Sequence, residues 1–185
     1  MNNKTSRHLA LLTLSASSLM VAVQLVQADE RRAEPPAKYA ANLLPVHEVP
    51  AVSSVASGYV SIVIDDVART ISYELTFADL EAGVLQSHIH TAQPGVNGGI
   101  MVWLCGTAAN PGPAGTPVCP ASGSVSGVLT SLQVVGPANQ GISAGEFAEV
   151  VSAIRNGVAY ANVHSAKFAG GEVRGQLRRT QRHER

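Results

Sequence analysis

Charge is scarce in this sequence, and neither sign is in excess. Charged residues make up 14% of the chain, and its 13 lysines and arginines balance its 13 aspartates and glutamates. A net charge near zero creates no field that would attract nucleic acid or an acidic membrane surface. The one basic cluster is in the tail, residues 179–185. Such a cluster at a chain end is more often a solvated terminus than a binding patch. We therefore expect no nucleic-acid partner.

Long hydrophobic runs are also few. One run covers residues 9–26, follows the basic residues Lys4 and Arg7, and ends in Val-Gln-Ala at 26–28, with small residues at the two positions that signal peptidase reads. This layout is typical of a secretory signal peptide, so we expect residues 1–28 to be cleaved. A membrane anchor is disfavoured because the run contains several serines and is barely long enough to span a bilayer. We expect export to the periplasm or the medium, with no membrane span after cleavage.

Only two cysteines are present, Cys105 and Cys119. The segment between them is rich in proline and glycine, which is typical of a loop. In an exported protein an even pair of cysteines predicts a disulfide, which here would close a loop of about 15 residues and contribute ~3 kcal/mol. A two-thiolate metal site is the alternative, but no further ligand lies nearby in the sequence.

Signatures of common enzymes are missing as well. The sequence contains no P-loop or dinucleotide fingerprint. Ser87 and Ser165 each adjoin a histidine, but adjacent residues of a strand point to opposite faces, so neither serine pairs with that neighbour. Glu172 could orient a histidine across a hairpin, although an ion pair with Arg174 is the simpler interpretation. An enzyme is the class that the sequence supports least.

Aromatic residues make up only 4% of the chain, so a core would be built mainly from Val, Ile, Leu and Ala. Apolar and polar residues alternate over residues 69–77, which predicts a half-buried antiparallel strand. Similar short runs, separated by glycine and proline turns, continue to residue 177. At the start, residues 29–42 are predicted to be a flexible lead-in, and residues 43–50 an extended edge segment that tolerates prolines.

One helix is predicted, late in the chain. Apolar residues recur with helical spacing over residues 147–154, and Gly157 would end the helix. Many short strands with one short late helix predict an all-β fold, an antiparallel β-sandwich of the immunoglobulin-like or superoxide-dismutase-like kind.

Three histidines are the main candidates for chemistry. His88 and His90 are two apart on a predicted strand and share a face, and His164 lies on a second predicted strand. If the strands pair, the three imidazoles could form a copper or zinc site, with His47 as a fourth ligand only if the edge segment passes nearby.

A structural role for the same histidines is the alternative. Buried imidazoles need hydrogen-bond partners, and a satisfied network would help to specify the sandwich. The sequence offers several partners besides the backbone, namely Asn162, Glu172 and Thr91.

Two separated motifs resemble the signatures of the CHRD (chordin) domain family. The first is His-Ile-His-Thr at 88–91 with Asn-Gly-Gly-Ile at 97–100, and the second combines residues 156–165 with Gly-Glu-Val-Arg-Gly-Gln-Leu at 171–177. The opening around residues 48–50 and 57–59 also fits. The proline- and glycine-rich loop between the cysteines resembles the stand-alone bacterial form of the domain.

This resemblance implies an exported β-sandwich, with the CHRD domain over residues 43–178. In animals the domain occurs inside chordin, a secreted antagonist of bone morphogenetic proteins, but that role belongs to a multi-domain protein. The resemblance implies a binding or structural module whose ligand, a protein or a cell-surface component, is unknown. A periplasmic or extracellular copper- or zinc-binding protein is the alternative.

Overall fold

A computed structural model describes residues 36–180 of the chain. The signal peptide expected at residues 1–28 and residues 181–185 of the basic tail lie outside the described residues. Within residues 36–180, no helix is long and apolar enough to cross a membrane.

Nine strands and one α-helix lie within the described residues. The strands are β1 (Ala37–Leu43), β2 (Ser57–Asp65), β3 (Thr70–Ala78), β4 (Val84–Thr91), β5 (Ile100–Gly106), β6 (Gly123–Leu129), β7 (Ala159–Ser165), β8 (Val173–Gln176) and β9 (Arg178–Arg179). The helix α1 is Phe147–Arg155, and short 3-10 helices are formed by Pro45–His47, Ser131–Gln133 and Ala138–Gln140.

The strands form two antiparallel sheets, one with the order β6-β3-β2-β1-β9 and the other with the order β5-β4-β7-β8. One apolar cluster joins buried residues of both sheets and of α1. On β3 the alternation is regular, since Ile71, Tyr73, Leu75 and Phe77 are all buried. Each fully buried aliphatic side chain contributes roughly 1.5–3 kcal/mol. The predicted all-β sandwich with one short late helix is confirmed.

The first strand lies earlier than the sequence predicted. Residues 37–42 belong to β1 rather than to a flexible lead-in, and residues 43–50 form the end of that strand and a 3-10 turn rather than an edge segment. β1 is also an inner strand, because it pairs with both β2 and β9. The alternation of Tyr39, Ala41 and Leu43, all buried, was obscured by the small alanines.

The predicted tail also begins inside the fold. Arg179 pairs with Tyr39 of β1, and the Thr180 amide donates to Lys38 O. Two arginines form this short edge strand because the pairing uses the backbone alone, while their side chains remain exposed.

The predicted disulfide between Cys105 and Cys119 is present, with an S–S distance of 2.06 Å. It closes the proline- and glycine-rich loop beside the end of β5, where the Cys119 amide also donates to Gly106 O. In the chain-entropy model a loop of this length stabilises the fold by ~3 kcal/mol.

Residues 44–56, here called the covering loop, pack over the outer face of the β4–β7–β8 sheet. Leu44 pairs with Arg174 of β8, and the Ser54 hydroxyl donates to Glu172 beside β8. Because this loop covers the sheet, every residue of β7 is buried although its alternate side chains point away from the sandwich core. The fold thus has a second buried space outside its apolar core.

Candidate metal centre

Three histidines from two neighbouring strands meet in this second space. His88 and His90 lie on β4, and His164 lies on β7, which pairs with β4. The intervening residues Ile89 and Val163 belong to the apolar core, so the histidines are on the outer face. All three histidines are buried, and their candidate ligand nitrogens lie within 4.8 Å of one another. The structure therefore brings together the three histidines that the sequence singled out.

Backbone carbonyls fix the protonation of two of the histidines. His90 Nδ1 lies 3.0 Å from Gly98 O, and His164 Nδ1 lies 3.0 Å from Ala169 O. A carbonyl oxygen only accepts, so both Nδ1 atoms carry a proton and donate it. In a neutral imidazole the other nitrogen then holds a lone pair, so Nε2 of each ring is an acceptor.

Both of these Nε2 atoms face the side chain of Asn162. Asn162 Oδ1 lies 3.1 Å from His90 Nε2 and 3.0 Å from His164 Nε2. Asn162 is only 2% exposed and lies opposite His88 in the strand pair. Because an amide oxygen is also an acceptor, three lone-pair atoms face one another in a buried space.

His88 completes the cluster. Its Nδ1 lies 3.1 Å from His164 Nε2, and its Nε2 has no hydrogen-bond partner among residues 36–180. The ring stands perpendicular to that of Trp103 on β5, with centroids 4.3 Å apart. A fully buried ring nitrogen without a partner is costly, so this atom requires a physical explanation.

Burial keeps the three imidazoles neutral. Desolvation, together with His164 and His90, lowers the pKa of His88 to about 2. Desolvation also lowers the pKa of His90 to about 4, although its hydrogen bond to Gly98 raises it in part. The pKa of His164 is lowered by desolvation against the opposing effect of its bond to Ala169. Neutral imidazole is the form that binds metal ions.

His47, which would be a fourth ligand only if the edge segment passed nearby, is not part of this cluster. Pro45–His47 forms a 3-10 helix, in which residues three apart share a face. Pro45 and Glu48 are therefore buried together, and His47 is exposed. The 3-10 turn thus buries Glu48 and leaves its neighbour His47 in contact with solvent.

Glu48 is a buried carboxyl group, 6% exposed, at the edge of the cluster. Desolvation raises its pKa to about 7, although Arg174, the Val49 amide and the Asn162 side chain favour its charged form. Its Oε1 has no hydrogen-bond partner within residues 36–180. We refer to His88, His90, Asn162, His164 and Glu48 as the polar interior.

A stack of planar groups borders the polar interior. The Tyr160 ring lies parallel to that of His90, with centroids 4.8 Å apart, and the Arg174 guanidinium lies 3.4 Å from the Tyr160 centroid. Arg174 also donates to Asn97 Oδ1 and to Val96 O. This arrangement holds the loop before β5 against the site.

Glu172 fixes the covering loop instead of binding a histidine. Its Oε1 accepts from the Ser54 hydroxyl at 2.6 Å and from the Glu81 amide at 2.9 Å. The simple ion pair with Arg174 is not formed, because Arg174 is directed to Asn97 and Val96. Of the partners that the sequence offered to the histidines, Asn162 and backbone carbonyls are the ones that they contact.

Comparison with known proteins identifies the family. The CHRD domain matches residues 39–177, which is most of the chain and nearly all of the described residues. No curated protein and no solved structure matches the chain significantly. Both motifs of the polar interior, the His-x-His of β4 and the Asn-x-His of β7, fall inside the matched range. The chain therefore belongs to the CHRD domain family.

Proposed function

We propose that this CHRD-domain protein is exported and binds one transition-metal ion, copper or zinc, through His88, His90 and His164. Membership of the family supports a binding module without naming its ligand. Three imidazoles are a ligand set that suits both metals.

One observation carries the proposal. The carbonyls of Gly98 and Ala169 take the Nδ1 protons of His90 and His164, so that both Nε2 lone pairs point into the same buried space. Carbonyls that accept the proton of the ring nitrogen facing away from a metal fix the tautomer of metal-binding histidines. A cation at that point would satisfy both lone pairs at once.

The distances fit a single ion after a small adjustment. A zinc–nitrogen bond of about 2.0–2.1 Å allows at most about 4.2 Å between two nitrogens on one ion. The ligand nitrogens of this cluster lie up to 4.8 Å apart, which exceeds that value by about 0.6 Å. Rotation of the imidazole rings can bring them closer by this amount. The contact of 3.1 Å between His88 Nδ1 and His164 Nε2 already lies inside the limit of about 4.2 Å.

Export is supported by the Cys105–Cys119 bridge, because disulfides persist in oxidising compartments. Expression of the full chain with a C-terminal tag, followed by cell fractionation and N-terminal sequencing, tests it directly. We expect the protein in the periplasm or medium with residues 1–28 removed. An uncleaved cytoplasmic product would contradict export.

Elemental analysis of the purified protein tests metal binding. We expect about one equivalent of copper or zinc, either on isolation or after incubation with Zn²⁺ or Cu²⁺ and desalting. The His88→Ala/His90→Ala variant should lose it, because two of three imidazoles are gone. The exposed His47 supplies a matched control, and His47→Ala should keep the full equivalent.

The competing interpretation is a purely structural network. If the Asn162 amide were turned so that its Nδ2 donates to both Nε2 atoms, the pair would be satisfied without a cation. In that case the wild-type protein would take up no metal, and the double variant would lose thermal stability only. That result would overturn the proposal.

A further inference from the structure

We propose that Asn162 Oδ1 is the fourth ligand of the metal. The inference rests on the proposed metal binding and adds that the site is closed, with no coordination position left for water or a substrate. Nothing in the family match assigns a role to this residue.

The position of Asn162 Oδ1 is that of a ligand. In a tetrahedral zinc site with bonds of about 2.0–2.1 Å, neighbouring ligand atoms lie about 3.3–3.4 Å apart. Oδ1 lies 3.1 Å from His90 Nε2 and 3.0 Å from His164 Nε2. Three edges of a tetrahedron are therefore nearly formed, counting the contact of 3.1 Å between His88 and His164.

The chemistry of these atoms favours the same assignment. Because the Nδ1 protons of His90 and His164 are donated to carbonyls, no proton is available between these rings and Asn162 Oδ1. Facing lone pairs repel one another in a buried space, whereas a shared cation binds all of them.

A closed site implies retention of the ion rather than chemistry at the ion. Metal sites that bind water or substrate keep an open position, whereas sites with four protein ligands do not. Here His88 is 0% exposed and Asn162 2% exposed, so an external ligand has no direct approach.

Cobalt(II) substitution with azide as an external ligand tests the inference. We expect a four-coordinate visible spectrum for the wild type that azide does not change. Asn162→Ala should bind Co²⁺ some 10–100-fold more weakly, and its spectrum should shift with azide because a position has opened. Asn162→Asp keeps an oxygen ligand and should again be insensitive to azide, which separates ligation from a general effect on folding.

An azide-sensitive wild type, or equal affinity and spectra for the wild type and Asn162→Ala, would overturn the inference. Wild-type protein that binds no Co²⁺, Zn²⁺ or Cu²⁺ at all would instead overturn the proposed function.

Discussion

The two buried spaces of this protein are built from opposite chemistry on the same strands. Ile89, Ala161 and Val163 face the apolar core between the sheets, whereas His88, Asn162 and His164 face the polar interior beneath the covering loop. The first space is stabilised by removing apolar area from water. The second contains groups that cost free energy to bury unless each finds a partner.

The difference separates the space that stabilises the fold from the space in which we propose a metal site. A sandwich of this size needs one apolar core, and a second layer of buried histidine, asparagine and glutamate adds little to its stability. Two atoms of this layer, His88 Nε2 and Glu48 Oε1, have no hydrogen-bond partner within residues 36–180. Such groups are expected at sites of function rather than in structural networks.

The largest effect should come from the apolar core. Leu75 is fully buried in β3, between β2 and β6. Leu75→Ala should lower the free energy of unfolding by about 2–5 kcal/mol in urea titrations, because it removes buried methyl groups and leaves a cavity. The folded variant should still bind one equivalent of metal, and a parallel loss of metal would contradict the separation of the two spaces.

Removal of the disulfide should lower the stability somewhat less, and should affect the surroundings of both buried spaces. The Cys105→Ser/Cys119→Ser variant should lose about 3 kcal/mol of stability, because the unfolded chain regains loop entropy. Its loop carries Gly112, where an added Cβ would lie 2.7 Å from the Trp103 ring. Tryptophan emission reports this contact, and we expect a red shift as Trp103 becomes hydrated. An unchanged spectrum would show that the loop stays in place without the bridge.

Acidification should lower the free energy of unfolding of the metal-free protein by a smaller amount than either of these changes. The pKa values of His88 and His90 are about 2 and about 4, below their usual 6.5, and that of His164 is also lowered. Histidines whose pKa is lower in the folded than in the unfolded state stabilise the fold above pH 6.5. This stability is lost as the pH falls, because the unfolded chain takes up protons at a higher pH than the folded chain does.

Glu48 acts in the opposite direction over the same interval. Its raised pKa of about 7 means that it stabilises the fold at low pH and loses that effect as the pH rises. With three histidines against one carboxyl group, we expect a net loss of about 2 kcal/mol between pH 6.5 and 5.5. Chemical denaturation of chelator-treated protein measures it, and a flat profile would show that the imidazoles are not buried in neutral form.

The apolar core could be predicted from the sequence, and the polar interior only in part. Strict alternation on β3 and the turn glycines were sufficient to predict the sandwich, because those signals are local. β1 was missed over residues 37–42, since alanines at inward and outward positions alike hide the period. β1 is instead defined by its pairing with β2 and β9, which is a long-range interaction.

The histidines were predicted from the period of two and the family motifs, but their surroundings were not. Glu48 lies on a loop and is buried through the 3-10 turn at Pro45–His47, which no local period of the sequence predicts. Asn162 was named as a partner, yet its distances of 3.0–3.1 Å to two imidazoles depend on strand register. Side-chain chemistry alone does not specify either feature.

Gly98 shows how a residue without a side chain can be as constrained as a metal ligand. Its carbonyl accepts the proton of His90, its amide donates to the Tyr160 hydroxyl, and a Cβ at this position would lie 1.8 Å from Thr91 O. Any replacement must move the backbone that sets the tautomer of His90. In a saturation-mutagenesis survey this half-exposed turn glycine would therefore tolerate as few substitutions as the histidine it contacts.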